Sequence, residues 1–258
     1  MDGKDVEAWE LFLRGQGYHW LEVRGKYDAP AVQSTQAWQK DCGMVADGVI
    51  GPRTFARAQE LGFNPGFDDH DASEAGPNWP PRPAFAALDS AARGQLFGQF
   101  AFKPAPVDSN PEAIEILDGW AMKHIETVDI PELAGVEGAP ASGKIRLHKV
   151  AVEPFRKFFR AIDDAGLRNR LLAFGGSWAP RFIRGSRLLL SNHAYGSAVD
   201  LNVAWNALAT VPALKGKKGC IRELVPLANE CGIYWGGHFG RQDGMHFELA
   251  RVVAGSAM

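Results

Sequence analysis

Apolar residues recur at three- and four-residue spacing in 6-VEAWELFLRGQGY-18 and 29-APAVQSTQAWQKDCG-43, each ending on a glycine. That period places the apolar side chains on one face of a helix, so both segments predict amphipathic helices. A third helix is expected to open near Thr54, after the turn-rich 47-DGVIGPRT-54. Periodicity then lapses over 64-NPGFDDHDASEAGPNWPPRP-83, where Pro, Gly, Asp and Asn gather as in a linker. Beyond it the pattern is mixed. The segments 149-KVAVEPFRKFFRAIDDAGL-167 and 221-IRELVPLANECG-232 each contain an amphipathic helix, whereas Ser197 to Val203 and His246 to Leu249 alternate with the period of a strand. The prediction is an α+β chain: a small three-helix module over 1–63, a linker over 64–83, and a mixed domain over 84–258 with a small antiparallel sheet.

The strand segments carry the chemistry. In 191-SNHAYGSAVDLN-202 and 243-DGMHFEL-249 lie two imidazoles and a carboxylate, His193, Asp200 and His246, the number of protein ligands a catalytic zinc takes when it keeps one position open. Alternation puts Ala198, Asp200 and Asn202 on one strand face and Val199, Leu201 and Val203 on the other. If the two strands pair, Asp200 and His246 reach one ion, with His193 entering from the preceding loop. Asp243, three residues before His246, is the candidate to take a proton from the attacking water and return it to the leaving nitrogen.

The spacing Ser191-x-His193-x-x-Gly196-x-Ala198-x-Asp200, followed by Asp243-x-x-His246-Phe247-Glu248, resembles the zinc peptidases that include D-alanyl-D-alanine carboxypeptidases and bacteriophage L-alanyl-D-glutamate endopeptidases. The resemblance implies one zinc ion and a peptidoglycan stem peptide as substrate. Upstream, 175-GGSWAPRFIRGS-186 is similar to that family's Gly-aromatic-Arg segment, which implies that Arg181, or failing it Arg184, stabilises the oxyanion. Ser191 and Tyr195, flanking His193, are candidates to support the ligands or touch substrate. Relatives commonly carry an acid and a tryptophan after the paired glycines; here 235-WGGHFG-240 places His238 and Phe239 there, and His238 is read as a substrate contact or a residue of the site's rim.

The amino-terminal segment resembles a peptidoglycan-binding domain through its Asp-Gly-x-x-Gly-x-x-Thr motif at Asp47, Gly48, Gly51 and Thr54. Trp38, Asp47 and Thr54 are its candidate wall contacts, although a motif of this kind mainly fixes a loop.

A formal net charge of −2 gives no general attraction for nucleic acid, and no apolar stretch is long enough to insert in a membrane. Cys42, Cys220 and Cys231 are an odd set without zinc-knuckle spacing, so free thiols are expected. His124 and His148 lie far in sequence from the metal motif and are read as packing residues. The chain starts with acidic residues and no signal-like segment, so it is expected to be made in a bacterial cytoplasm, and the resemblance then implies action on the wall after holin-type or other release; the oligomeric state is left open, with a monomer favoured. The leading expectation is an endolysin-like hydrolase of the L-alanyl-D-glutamate bond. Its rivals are a D-alanyl-D-alanine carboxypeptidase and a non-hydrolytic wall-binding protein with a degenerate peptidase domain.

Overall fold

A computed structural model of the chain describes residues 3–18, 20–61, 63 and 79–253. Most of the expected linker, 64–78, lies outside the described residues. The chain forms two compact units, one of Met1–Arg82, Ala204–Glu223 and Gly237–Met245, the other of Pro83–Val203, Leu224–Gly236 and His246–Met258. The sequence reading draws a continuous boundary at 84, whereas by contact the segments 204–223 and 237–245 group with the amino-terminal residues.

In the first unit the expected helices are α1 (Lys4–Gly15), α2 (Ala29–Asp41) and α3 (Pro52–Glu60). Asp28 starts α2, accepting a hydrogen bond from the Ala31 amide, and Pro30 suits the first turn, where no amide partner is needed. The helices close over Trp9, Phe12, Leu13, Trp38 and Phe63. Trp9 meets Trp38 edge-on at 5.5 Å and Phe63 at 5.1 Å, the geometry aromatic quadrupoles prefer.

The loop motif is held from beneath by one buried side chain. The Gln39 amide nitrogen donates to Asp47 Oδ1, the Val49 carbonyl and Thr54 Oγ1, and its oxygen accepts from the Gly48 amide at 2.8 Å. Gly48 is left-handed, and a Cβ there would stand 2.8 Å from Val32 Cγ1. Trp38 and Thr54 are 2% and 4% exposed. Both face the module's own interior. Asp47 is exposed, with its carboxylate engaged by Gln39 and the Val49 amide.

The second unit is α+β, as expected. Helix α4 (Ser90–Phe97) precedes a hairpin of β1 (Phe102–Pro104) and β2 (Ile114–Ile116). The five-residue α5 (Trp120–His124) leads into a second hairpin, β3 (Ile125–Asp129) with β4 (Lys144–His148), and then into α6 (Lys149–Asp164). The remaining elements are β5 (Phe174–Gly176), α7 (Asn192–Tyr195), β6 (Ala198–Leu201), α8 (Val225–Glu230), β7 (Ile233–Trp235) and β8 (His246–Leu249). Strands β5, β6, β8 and β7 form, in that order, an antiparallel four-stranded sheet.

Helix α6 explains why that sheet has a dry side. It buries Phe155, Phe158, Phe159 and Ile162, and Phe158 packs 5.4 Å from Phe247 of β8. Strand alternation then sends His246 and Glu248 to the opposite face. Asn202 leaves the ladder in a left-handed conformation, its side-chain oxygen accepting from the Leu172 and Ala173 amides, so β6 stops at Leu201.

His148 joins β4 to α6. Its Nδ1 accepts from the Val150 amide as the helix cap and its Nε2 donates to the Phe97 carbonyl, which fixes a neutral tautomer. Burial pushes its pKa down to about 4, with the Phe97 bond opposing and neighbouring His124 and Lys149 assisting. The unfolded chain therefore binds the extra proton between pH about 6.5 and about 4. Stability is fully present above that window and falls through it on acidification, by roughly 1–3 kcal/mol. Denaturant midpoints measured at pH 7.5 and 5 should show this loss, and it should shrink in His148→Asn, which keeps a capping side chain. An equal loss in that variant would assign the acid sensitivity to other groups.

Candidate metal centre

The site begins with register. In the β6–β8 ladder Asp200 stands directly opposite His246 and Val199 opposite Phe247, so the pairing that buries the apolar side also sets the two ligands side by side. His193 arrives on α7, a single helical turn, where the sequence reading expects a loop. Ser191 accepts from the His193 amide at the start of that turn, and Gly196 ends it with a φ of 68°. A Cβ on Gly196 would lie 2.8 Å from the His148 nitrogen, and the Gly196 carbonyl accepts from that same amide. Only glycine fits where α7 is fastened to the end of β4.

Among the described residues, His193, Asp200 and His246 bring ligand atoms within 4.8 Å of one another, and all three residues are buried. His193 Nε2 and His246 Nδ1 lie 3.1 and 3.0 Å from Asp200 Oδ1, and 3.2 Å from each other. His193 Nδ1 is 2.6 Å from the Ser177 carbonyl, to which it can only donate. His246 Nε2 donates to Glu248 Oε2 at 3.0 Å, and the Asn192 amide donates to that same oxygen. With each imidazole's N–H committed outward, the three inward atoms are all acceptors.

Three lone pairs at this separation repel unless a cation stands among them. Burial favours a neutral Asp200 carboxyl, but His193 and His246 outweigh it and hold its pKa far below the usual carboxylate range. Burial likewise disfavours a charged His246, yet its bonds to Asp200 and Glu248 overcome that and raise its pKa. Without a metal, a proton fills the positive role. The donor set, two imidazoles and one carboxylate, fits zinc, and a triangle with these edges suits ligands at roughly 2.0–2.2 Å from one ion.

The sequence reading assigns no role to Glu248, Asn192 or Ser177. Glu248 shares a strand face with His246 two residues away, and that spacing is the signal available in sequence. Asn192 and Ser177 are reached only through the tertiary fold. Together they fix which nitrogen of each histidine faces inward, the usual work of groups behind a metal ligand.

Ser191 is buried as the cap of α7, and Tyr195 is buried against Phe97 and Phe100. Arg181 is half-buried, its carbonyl accepting from the Ser191 amide at 3.1 Å. Arg184 is exposed and faces Glu112 at 3.7 Å, a surface pair. Asp243 is half-buried in the segment Gly237–Met245, which belongs to the first unit. His238, read from sequence as a substrate contact or rim residue, is buried. It is 2% exposed, its Nε2 donates to the Pro80 carbonyl, and its ring packs beside Trp79.

Residues 184–249 match the family model described as D-alanyl-D-alanine carboxypeptidase. That stretch holds His193, Asp200, Asp243, His246 and Glu248, and it leaves Arg181 and the whole amino-terminal module outside. No curated protein and no solved structure matches the chain.

Removing the Glu248 charge tests how far the outer groups tune the centre. Glu248→Gln should weaken zinc binding about 10–100-fold, measured by competition with a chromophoric chelator. Unchanged affinity would show that Glu248 serves packing alone.

Proposed function

We propose that this chain is a zinc peptidase that cuts the stem peptide of peptidoglycan, at the bond between L-alanine and D-glutamate. The observation that carries the reading is the set of three buried acceptor atoms on His193, Asp200 and His246, facing one another at 3.0–3.2 Å. The family match over the same residues supports it.

In this reading His193, Asp200 and His246 hold the ion. Zinc in such a site lowers the pKa of water and polarises a carbonyl. Asp243 takes the proton of the attacking water and delivers it to the departing amine nitrogen. Arg181 places a guanidinium where negative charge develops on the scissile oxygen. Ser177 and Glu248 keep the imidazoles from rotating, so little reorganisation accompanies the reaction.

The endopeptidase assignment rests on the amino-terminal module. A wall anchor raises the effective concentration of a peptidase beside many bonds of an insoluble polymer, which suits cutting of assembled wall. We further propose that the enzyme acts after release from the cytoplasm, as endolysins do. The description of the matching family favours a second reading, removal of the terminal D-alanine.

Digestion of purified peptidoglycan followed by mass spectrometry of the new termini separates the two. An amino-terminal D-glutamate establishes the endopeptidase and free D-alanine the carboxypeptidase. Intact wall with zinc-loaded protein would sink both. Asp243→Asn should retain zinc and lose about 10²–10⁴-fold in turnover; a smaller loss would move the proton transfer to another group.

A further inference from the structure

Beside the metal cluster, on β4, stands a cation that the proposed chemistry leaves unused. Arg146 is exposed, and its guanidinium carbon sits 4.2 Å above the centre of the Trp178 ring. Its partner across the hairpin is Thr127, which is neutral, and the acid at the next position on that face, Asp129, is paired with Lys144 at 3.9 Å. Among the described residues, none of the ion pairs includes Arg146. An exposed arginine ordinarily moves among many rotamers, at a cost in entropy whenever it binds. Here an indole face holds the plane of the fork while leaving its N–H edge open.

The indole is itself fixed to the metal centre. Trp178 Nε1 donates to the Ala194 carbonyl at 3.1 Å. Its two chain neighbours both bond to His193: the Ser177 carbonyl accepts from Nδ1, and the Ala179 amide donates to the His193 carbonyl at 3.0 Å. The strip 177–179 therefore runs along α7, with the imidazole bound on one side and the guanidinium stacked on the other. The support of the guanidinium is thus fastened to the same helical turn that carries His193.

We infer that Arg146, positioned by Trp178, binds a carboxylate on the residue that leaves when the peptide is cut. The inference rests on the stem-peptide reading above. Both candidate bonds supply such a group. A γ-linked D-glutamate carries its free α-carboxylate next to the scissile nitrogen, and a terminal D-alanine carries the carboxylate of the chain end. A planar fork accepts either in bidentate fashion, and a carboxamide in the same place removes the charge and turns half of the acceptor into a donor. The enzyme would thus distinguish wall whose D-glutamate is free from wall in which it is amidated.

Two pairs of synthetic stem peptides provide the test, one with free or amidated D-glutamate, the other with a free or amidated terminal D-alanine. For the pair that is cut, amidation should raise KM about tenfold while kcat changes less than about twofold. In Arg146→Gln the acid and the amide should become equal, and Arg146→Lys should fall between. Calorimetry with zinc-loaded Asp243→Asn needs no turnover and should show the same tenfold preference, abolished by adding Arg146→Gln. Wild-type protein that treats acid and amide alike, or Arg146→Gln that weakens both equally, overturns the inference. If no peptide is cut but the acid still binds tenfold better through Arg146, the hydrolase reading fails and this one stands. If no peptide binds, this one fails as well.

Discussion

Repulsion among three lone pairs organises the second unit of this chain. His193 Nε2, His246 Nδ1 and Asp200 Oδ1 are brought together in a buried place, with each imidazole proton spent on a carbonyl or carboxylate outside the triangle. Such a cluster is costly to build unless positive charge completes it. The cost is met by rigid surroundings: a sheet packed on α6, a helical turn capped at both ends, and an Asn192–Glu248 contact that ties that turn to β8. Stability is held at the margins of the site so that the centre can remain electrostatically unfinished.

Much of this was legible in the sequence because it is local. Helices α1, α2 and α6 follow from apolar spacing. The pairing of Asp200 with His246 follows from two short alternating segments, each placing a polar residue on the face opposite Val199 or Phe247. What the sequence does not disclose depends on partners distant along the chain. Glu248 looks like one more polar strand residue until Asn192 meets it. His238 follows two glycines near the metal motif in sequence, yet it is buried against Pro80 and Trp79. Trp38 and Thr54 are buried, and the bonds of Asp47, Gly48 and Thr54 to Gln39, which hold the loop, are not visible from spacing alone.

The same separation divides the histidines. His148 and His246 are both buried, but the groups around them are opposite in kind. His148 bonds an amide and a carbonyl, which are neutral, and burial keeps it uncharged. His246 donates to the Glu248 carboxylate and faces that of Asp200, and the two raise its pKa against the effect of burial. Composition counts seven equivalent imidazoles, whereas the partners decide which one caps a helix and which one serves a cation.

The β6–β8 ladder has a consequence for how such a protein can vary. Its two ligands are 46 residues apart in the chain and adjacent in the sheet. A slip of one residue by either strand would turn that strand's side chain toward α6, so register there admits no drift. The length of the excursion between them is governed by a far gentler rule, since doubling a loop adds only about 0.6 kcal/mol to its closure. The chain between Asp200 and His246 is therefore held far less strictly in its length than the two strands are in their register.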